Sequence, residues 1–350
     1  MKIDNIFKEA AKRQASDVHL VFGQPPVLRI DGSLVAAPEL LSNHQTVTEE
    51  DLREALETML SEKEIKRLYE DRGLDLSYQI AENRFRVNCA FEKGQIMISA
   101  RIIKDHEPTL EELGFPPVVK KLLDLPQGFI LLTGPTGCGK STSLAAMINY
   151  LNNHYAKNII TLEDPIEYVF KSKKSLVTQR QLGTDVLSFA SGLKHILRQD
   201  PNVIMLGEMR DPETIAAAVT LAETGHLVLA TLHTHSAAQT IDRIIDSFPP
   251  HQQAQIKSQL SFVLSAVISQ RLLLRKSGGR IAAREILINN PAVANLIREG
   301  KLAQIKSTIE TSSSLGMITM DRQIKELYQA GEIERQEAEK YLEEKDYLPS

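Results

Sequence analysis

Residues 134–141 read Gly134-Pro135-Thr136-Gly137-Cys138-Gly139-Lys140-Ser141, with Thr142 following, and no other stretch constrains the fold as strongly. This spacing of glycines before Lys-Ser needs a strand to enter the loop and a helix to leave it. Both are present. Phe129-Ile130-Leu131-Leu132-Thr133 is a short apolar run suited to a buried parallel strand, and Leu144, Ile148 and Leu151 then recur at helical spacing. In such a strand–loop–helix unit the glycines let backbone N–H groups converge on a β-phosphate. Lys140 neutralises the β- and γ-oxygens, and the Ser141 hydroxyl sits on Mg²⁺. The segment from Gly134 to Thr142 therefore predicts a site for ATP with Mg²⁺.

A chain of 350 residues, 42% hydrophobic and 25% charged, has the make-up of a folded protein of two or three domains. Over residues 1–102 helix and strand signals alternate. Thr48 can cap a helix over Glu49–Leu60, and Ser61-Glu62-Lys63-Glu64 is a capping box opening a helix towards Tyr69. Arg84–Phe91 and Ile96–Ile103 flank Glu92-Lys93-Gly94-Gln95 as an antiparallel hairpin, which makes this an α+β domain. Residues 103–117, with Pro108, Gly114, Pro116 and Pro117, read as a linker. From 118 to 280 the pattern becomes strand–helix–strand, as a RecA-like parallel core requires. Beyond Gly278-Gly279, residues 281–350 read as helical.

Several classes are disfavoured. The polar start Met1-Lys2-Ile3-Asp4-Asn5 and the lack of any long uncharged apolar run predict a cytoplasmic chain with no transmembrane segment. Cys89 and Cys138 are far apart and form no C-x-x-C pair, so neither a disulfide framework nor a structural zinc site is indicated. The net charge is −4, and the basic run Lys171-Ser172-Lys173-Lys174 lacks interleaved aromatics, which argues against a nucleic-acid partner.

Three more apolar runs end in polar residues, as parallel strands do at a carboxyl edge that holds a nucleotide. Ile159–Leu162 leads to Glu163-Asp164, Val203–Leu206 to Gly207-Glu208-Met209-Arg210, and Leu227–Thr231 to Leu232-His233. Phosphoryl transfer to water needs a positioned water, a metal and charge stabilisation, so Glu208 and Glu163 are the catalytic candidates. His233 is placed to donate a hydrogen bond to the γ-phosphate and report its presence. His235 would share a face with His233 if the strand continued, but a metal site would need a third ligand that the sequence does not supply.

These segments together resemble the secretion ATPase superfamily of type II secretion and type IV pili, over nearly the whole chain, and most closely its pilus-retraction branch. Ala15–Leu20 resembles the N-terminal signature, Leu162–Glu167 the aspartate box, Gly207–Arg210 the Walker B segment and Thr224–His235 the histidine box. The resemblance implies a PAS-like N-terminal domain, a RecA-like ATPase and helical C-terminal elements assembled as a homohexameric ring. It also implies a location at the inner face of the cytoplasmic membrane, an inner-membrane pilus platform protein as partner, and ATP-driven pilus retraction as the output. A phosphate loop alone does not surround a nucleotide, so cations of the N-terminal domain are expected to complete the site; Arg84, Arg86 and Arg101 lie on its strands.

Extension and secretion relatives usually carry an added N-terminal domain and a tetracysteine zinc element, neither of which this sequence has. Accessory retraction ATPases tend to have longer C-terminal tails. Outside the family, a DNA translocase or a nucleotide-gated scaffold would share the core; charge and absent aromatics oppose the first, and the paired glutamates oppose the second. Two departures from the family pattern stand out. Ala292-Val293-Ala294-Asn295-Leu296-Ile297-Arg298-Glu299 lacks an arginine at position 294 where the retraction motif has one, and Cys138 replaces the usual serine. A thiol beside converging N–H groups at a helix start is expected to favour the thiolate.

Overall fold

The computed structural model describes residues 2–30, 33–41, 44–81, 83–103 and 107–342. They form two compact units, Met1–His106 with Pro165–Val169, and Glu107–Asp164 with Phe170–Ser350. Of the expected linker, residues 104–106 lie outside the described residues, and Glu107 onward belongs to the second unit.

The first unit runs α1 (Ile3–Lys12), β1 (Asp17–Val21), β2 (Val27–Ile30), β3 (Ser33–Ala36), α2 (Glu49–Met59), α3 (Glu62–Asp71), β4 (Gly73–Ile80), β5 (Asn83–Glu92) and β6 (Gln95–Ile103). Its six strands pair in the order β3-β2-β1-β6-β5-β4, antiparallel throughout. Both expected caps form: Thr48 exchanges hydrogen bonds with Asp51, and Ser61 with Glu64. The hairpin turn between β5 and β6 places Lys93 and Gly94 at positive φ, 51° and 82°, the left-handed pair that a two-residue turn demands. Alternation along the strands sends Phe85, Val87, Cys89, Ile98 and Ala100 into a core with Ile3, Phe7, Leu52 and Leu56 of the helices. Phe7 stacks on Phe85 at 4.4 Å between ring centroids. The opposite face is polar.

The second unit runs α4 (Pro117–Leu123), β7 (Gly128–Thr133), α5 (Lys140–His154), β8 (Asn158–Glu163), β9 (Leu176–Gln181), α6 (Phe189–Ile196), β10 (Val203–Leu206), α7 (Pro212–Glu223), β11 (Leu227–Leu232), α8 (Ala237–Asp246), α9 (Pro250–Val263), β12 (Leu264–Leu274), β13 (Arg280–Ile288), α10 (Pro291–Glu299), α11 (Ile305–Thr311), α12 (Met320–Gln329) and α13 (Arg335–Glu339). The sheet order is β13-β12-β7-β11-β10-β8-β9, parallel except for the antiparallel β12–β13 pair. The step from β7 to β8 runs one way along the sheet, whereas β9 to β10, β10 to β11 and β11 to β12 run the other. Right-handed crossovers then place α5 on one face and α6 to α9 on the other. Covered on both sides, β7, β10 and β11 are buried along their whole length, which is why they read as unbroken apolar runs. The α/β class expected from the sequence is the one the chain adopts.

One expected boundary is corrected. Residues 281–350 were to be helical, but Arg280–Ile288 is strand β13, paired with β12 from Ala266↔Ile288 to Leu274↔Arg280. Gly278 and Gly279, at φ 92° and 77°, lie in the turn of this hairpin and do not separate domains. The helices after it pack back on the sheet. Ile318 bridges to Ile286 on β13, and Ile324, Ile333, Ala338 and Leu342 bury with Leu273 and Ala283 of the hairpin. Among the described residues no helix is long and apolar enough to cross a membrane.

Candidate active site

Strand β7 delivers the chain into the loop at Gly134 and α5 takes it away at Lys140. Gly134, Gly137 and Gly139 have φ of 144°, 79° and 87°, a backbone that side chains with a Cβ rarely adopt. Two of these glycines answer to a steric demand from behind the loop as well. A Cβ on Gly134 would stand 2.3 Å from the carbonyl oxygen of Gln270 and 2.7 Å from Cys138 Sγ, and one on Gly139 would stand 3.1 Å from Gln270 Nε2. The Lys140 ammonium curls over the loop, donating to the carbonyls of Gly134 at 2.7 Å and Pro135 at 3.1 Å. Ser141 and Thr142 are half-buried in the first turn of α5, and Pro135 and Thr136 lie on the open side of the loop.

The other candidates stand at the carboxyl ends of the next three strands. Order β7-β11-β10-β8 sets His233 just past β11, Glu208 past β10 and Glu163 at the end of β8. The strand ends are tied together. Gly207 N–H donates to the Leu162 carbonyl at 2.8 Å and Met209 N–H to the Thr231 carbonyl at 3.1 Å, and the Thr231 hydroxyl donates to the Gly207 carbonyl. Gly207 permits the close approach, since a Cβ there would sit 3.3 Å from the Leu162 oxygen and 3.4 Å from the Glu163 Cα. Glu163, 7% exposed, accepts at Oε1 from Thr161 Oγ1 at 2.6 Å and from Gln179 Nε2 at 2.9 Å.

Glu208 sits between two nitrogen groups, Arg210 Nη2 at 2.8 Å and His233 Nε2 at 3.0 Å. The partner of His233 in the structure is thus the catalytic candidate itself. Arg210 was not among the expected site residues, although its signal was available: a cation two residues beyond a strand-end carboxylate. The Glu208 carboxylate, by hydrogen bond and charge, raises the already high pKa of Arg210. Because β11 ends at Leu232, His233 and His235 do not share a strand face.

Cys138 departs from expectation. It is 3% exposed, and burial pushes its thiol pKa up; the nearby Lys140 charge and the loop N–H groups offset that only in part. The thiol, not the thiolate, is the favoured form.

Arg84 and Arg86 lie on β5 and Arg101 on β6 in the first unit, with Arg86 directly opposite Arg101. Alternation puts all three on the polar face of the antiparallel sheet. Arg101 Nε donates to Asp17 Oδ1 at 2.8 Å. Asp17 also accepts from Ser16 Oγ at 2.8 Å. In the C-terminal part, Val293 and Ile297 bury one side of α10 while Arg298 stays exposed, its guanidinium 5.9 Å from the ring of Phe262.

A family profile described as "Type II/IV secretion system protein" matches residues 1–340. The chain is 46% identical over 341 residues, 97% of each protein, to the Pseudomonas aeruginosa "Type IV pilus retractation ATPase PilT". It is 46% identical over 313 residues to a Neisseria gonorrhoeae "Twitching motility protein", covering 88% of this chain and 82% of the relative. Among solved structures, that of the pilus retraction motor PilT with bound ADP matches with a TM-score of 0.91 at 44% identity, covering 98% of each chain.

Proposed function

The chain belongs to the Type II/IV secretion system protein family, and from that premise we propose that it is an ATP-hydrolysing motor that drives type IV pilus retraction. One observation carries the chemical part: the phosphate loop, His233, Glu208 and Glu163 occupy the carboxyl ends of four adjacent parallel strands. Lys140 supplies the point charge for the β- and γ-oxygens once it turns from the loop carbonyls to a bound phosphate. Glu208, held between Arg210 and His233, orients and deprotonates the attacking water, and Glu163 assists from the neighbouring strand. His233 passes the presence or loss of the γ-phosphate to Glu208, whose carboxylate lies 3.0 Å from its Nε2.

The hydroxyl and carboxylate oxygens of Ser141, Glu163 and Glu208 suit a hard divalent cation, so Mg²⁺ is the metal proposed, with Ser141 as its protein ligand. Bound there, Mg²⁺ would neutralise phosphate charge. Turnover is further proposed to need Arg84, Arg86 and Arg101. The motor works as a homohexamer at the inner face of the cytoplasmic membrane, against a pilus platform protein, and Arg298 and Glu299 on α10 belong to its output rather than to its chemistry. The relatives named for retraction and twitching support this reading.

The test is paired. Purified protein should release phosphate from MgATP without stimulation by single-stranded DNA, and a deletion strain should keep abundant pili that no longer retract. DNA-dependent turnover would indicate a translocase instead, and normal retraction in the deletion strain would remove the pilus assignment.

A further inference from the structure

The β12–β13 hairpin carries a buried polar rung that faces the phosphate loop from behind. Gln270 and Arg284 are direct partners across the two strands, 2% and 3% exposed. Gln270 Nε2 donates to the carbonyl of Cys138, inside the loop, at 2.6 Å. Its Oε1 accepts from Arg284 Nε at 2.9 Å and from Ser143 Oγ, on α5, at 2.9 Å. Arg284 reaches further. Its Nη1 donates to the Gly114 carbonyl at 3.3 Å, and its guanidinium lies 3.8 Å from the centre of the Phe115 ring.

Such a rung is an unusual thing to bury. A charged guanidinium without water is costly unless its donors are well placed, and burial lowers the pKa of Arg284 to about 10. It is still charged at neutral pH. The backbone contributes too, since the Gln270 carbonyl is the atom that leaves no space for a Cβ on Gly134. The next rung serves the other face of the sheet. Ser269 accepts from Thr133 Oγ1 at 2.9 Å, and Glu285 accepts from the N–H of Ala237 at 2.7 Å, at the start of the helix that follows His233.

We infer that Gln270 and Arg284 are positioning residues for the phosphate loop, holding its Cys138 carbonyl in the nucleotide-competent arrangement and tying that arrangement to the segment around Gly114 and Phe115. The inference rests on the proposed nucleotide site. If the loop reaches its competent form in only a fraction of molecules once the rung is cut, apparent affinity falls by that fraction, while saturating nucleotide restores the form. The expected signature is a raised KM with kcat nearly preserved. By reciprocity, nucleotide that orders the loop must also act on the 110–116 segment.

Gln270→Glu is the sharpest variant, because it keeps both acceptor contacts, to Arg284 and Ser143, and loses the donor to Cys138. A negative charge added near a phosphate site would itself weaken binding, so Arg284→Met, which adds no negative charge, is run beside it. Calorimetric titration with MgADP should show both variants binding roughly tenfold or more weakly than wild type, with kcat for MgATP within about twofold at saturation. Hydrogen exchange supplies the second measurement. MgADP should slow exchange over residues 110–116 in wild type and leave it unchanged in Gln270→Glu at saturating ligand. Wild-type affinity in both variants, or a retained exchange response in Gln270→Glu, would overturn the inference. Failure of the wild-type protein to bind MgADP would instead overturn the proposed nucleotide site. Should Arg284→Met not fold, Gln270→Glu and its exchange response decide alone.

Discussion

The two sheets of this protein distribute their chemistry in opposite ways. The antiparallel sheet of the first unit packs its apolar core on one face, and its polar residues are spread over the other: Asp17, Arg86 and Arg101 lie across neighbouring strands with Arg84 one step along. The inner strands of the parallel sheet of the second unit are covered on both sides and have no face to offer. Its catalytic candidates collect at strand ends, where Glu163, Glu208 and His233 follow buried runs of the inner strands. The lesson is physical: burial on two sides forces chemistry to the edge, where several strands converge and a few residues can be brought within hydrogen-bond reach.

If the edge is where chemistry happens, the largest change should follow from altering it. Glu208→Gln is expected to lower turnover by roughly 10²- to 10⁴-fold while MgATP affinity stays within a few-fold of wild type. Near-normal hydrolysis would pass the role to Glu163. Lys140→Ala should weaken MgATP binding by about 10- to 150-fold, the worth of a charged hydrogen bond, when titrated with a fluorescent nucleotide. Unaltered binding would dissociate the loop from phosphate recognition.

Stability sharpens the comparison next. Leu131→Ala, in the middle of β7 with no exposed surface, should cost about 2–5 kcal/mol in chemical denaturation, whereas Asn88→Ala, on the polar face of the first sheet, should change stability by no more than about 0.5 kcal/mol. Equal losses would break the distinction between a two-sided and a one-sided sheet. The smallest effect is a matter of pH. Burial would raise the Asp17 pKa, but hydrogen bonds from Ser16 and Arg101 and the Arg101 charge outweigh it and hold the carboxyl below its ordinary value. A lowered folded-state pKa stabilises above the unfolded value, near 3.9, and that contribution is lost as pH falls through the lower folded value. Because Arg101 is 71% exposed on its side chain, the amount is small, about 1 kcal/mol or less. Asp17→Asn should flatten the acid limb of the first unit's melting curve below about pH 4; an unchanged limb would rule Asp17 out as its source.

What could be read from the sequence was local. The phosphate loop, the capping boxes and the strand-end carboxylates each declare themselves within ten residues or so, because the pattern that builds the element also places the group. Gln270 does not. It looks like a polar interruption in the apolar run Leu264–Leu274, and the carbonyl it serves, at Cys138, lies 132 residues away in the chain. Arg284 is hidden for the same reason. Its ion-like appearance on a strand says nothing of Phe115 and Gly114, which only the folded chain brings to it. The misplaced boundary at 280 has a related cause. Gly278-Gly279 is a break signal in sequence, and a hairpin turn and a domain junction use the same residues. The thiol of Cys138 stays protonated because burial, which only packing supplies, outweighs the loop N–H groups and the nearby Lys140 charge.

Strand β13 is outermost in its sheet, and the pairing of Ile286 with Ile318, at 2.8 and 3.2 Å, is what meets its far side. The C-terminal helices therefore do more than add bulk. An uncovered strand rich in Ile, Ala and Leu offers a row of unsatisfied N–H and C=O groups to any similar strand, which is the template from which edge-to-edge aggregation grows. A chain cut before Met317 would keep every phosphate-handling residue and yet bare that template. Solubility, on this reading, is guarded by a segment that takes no part in catalysis.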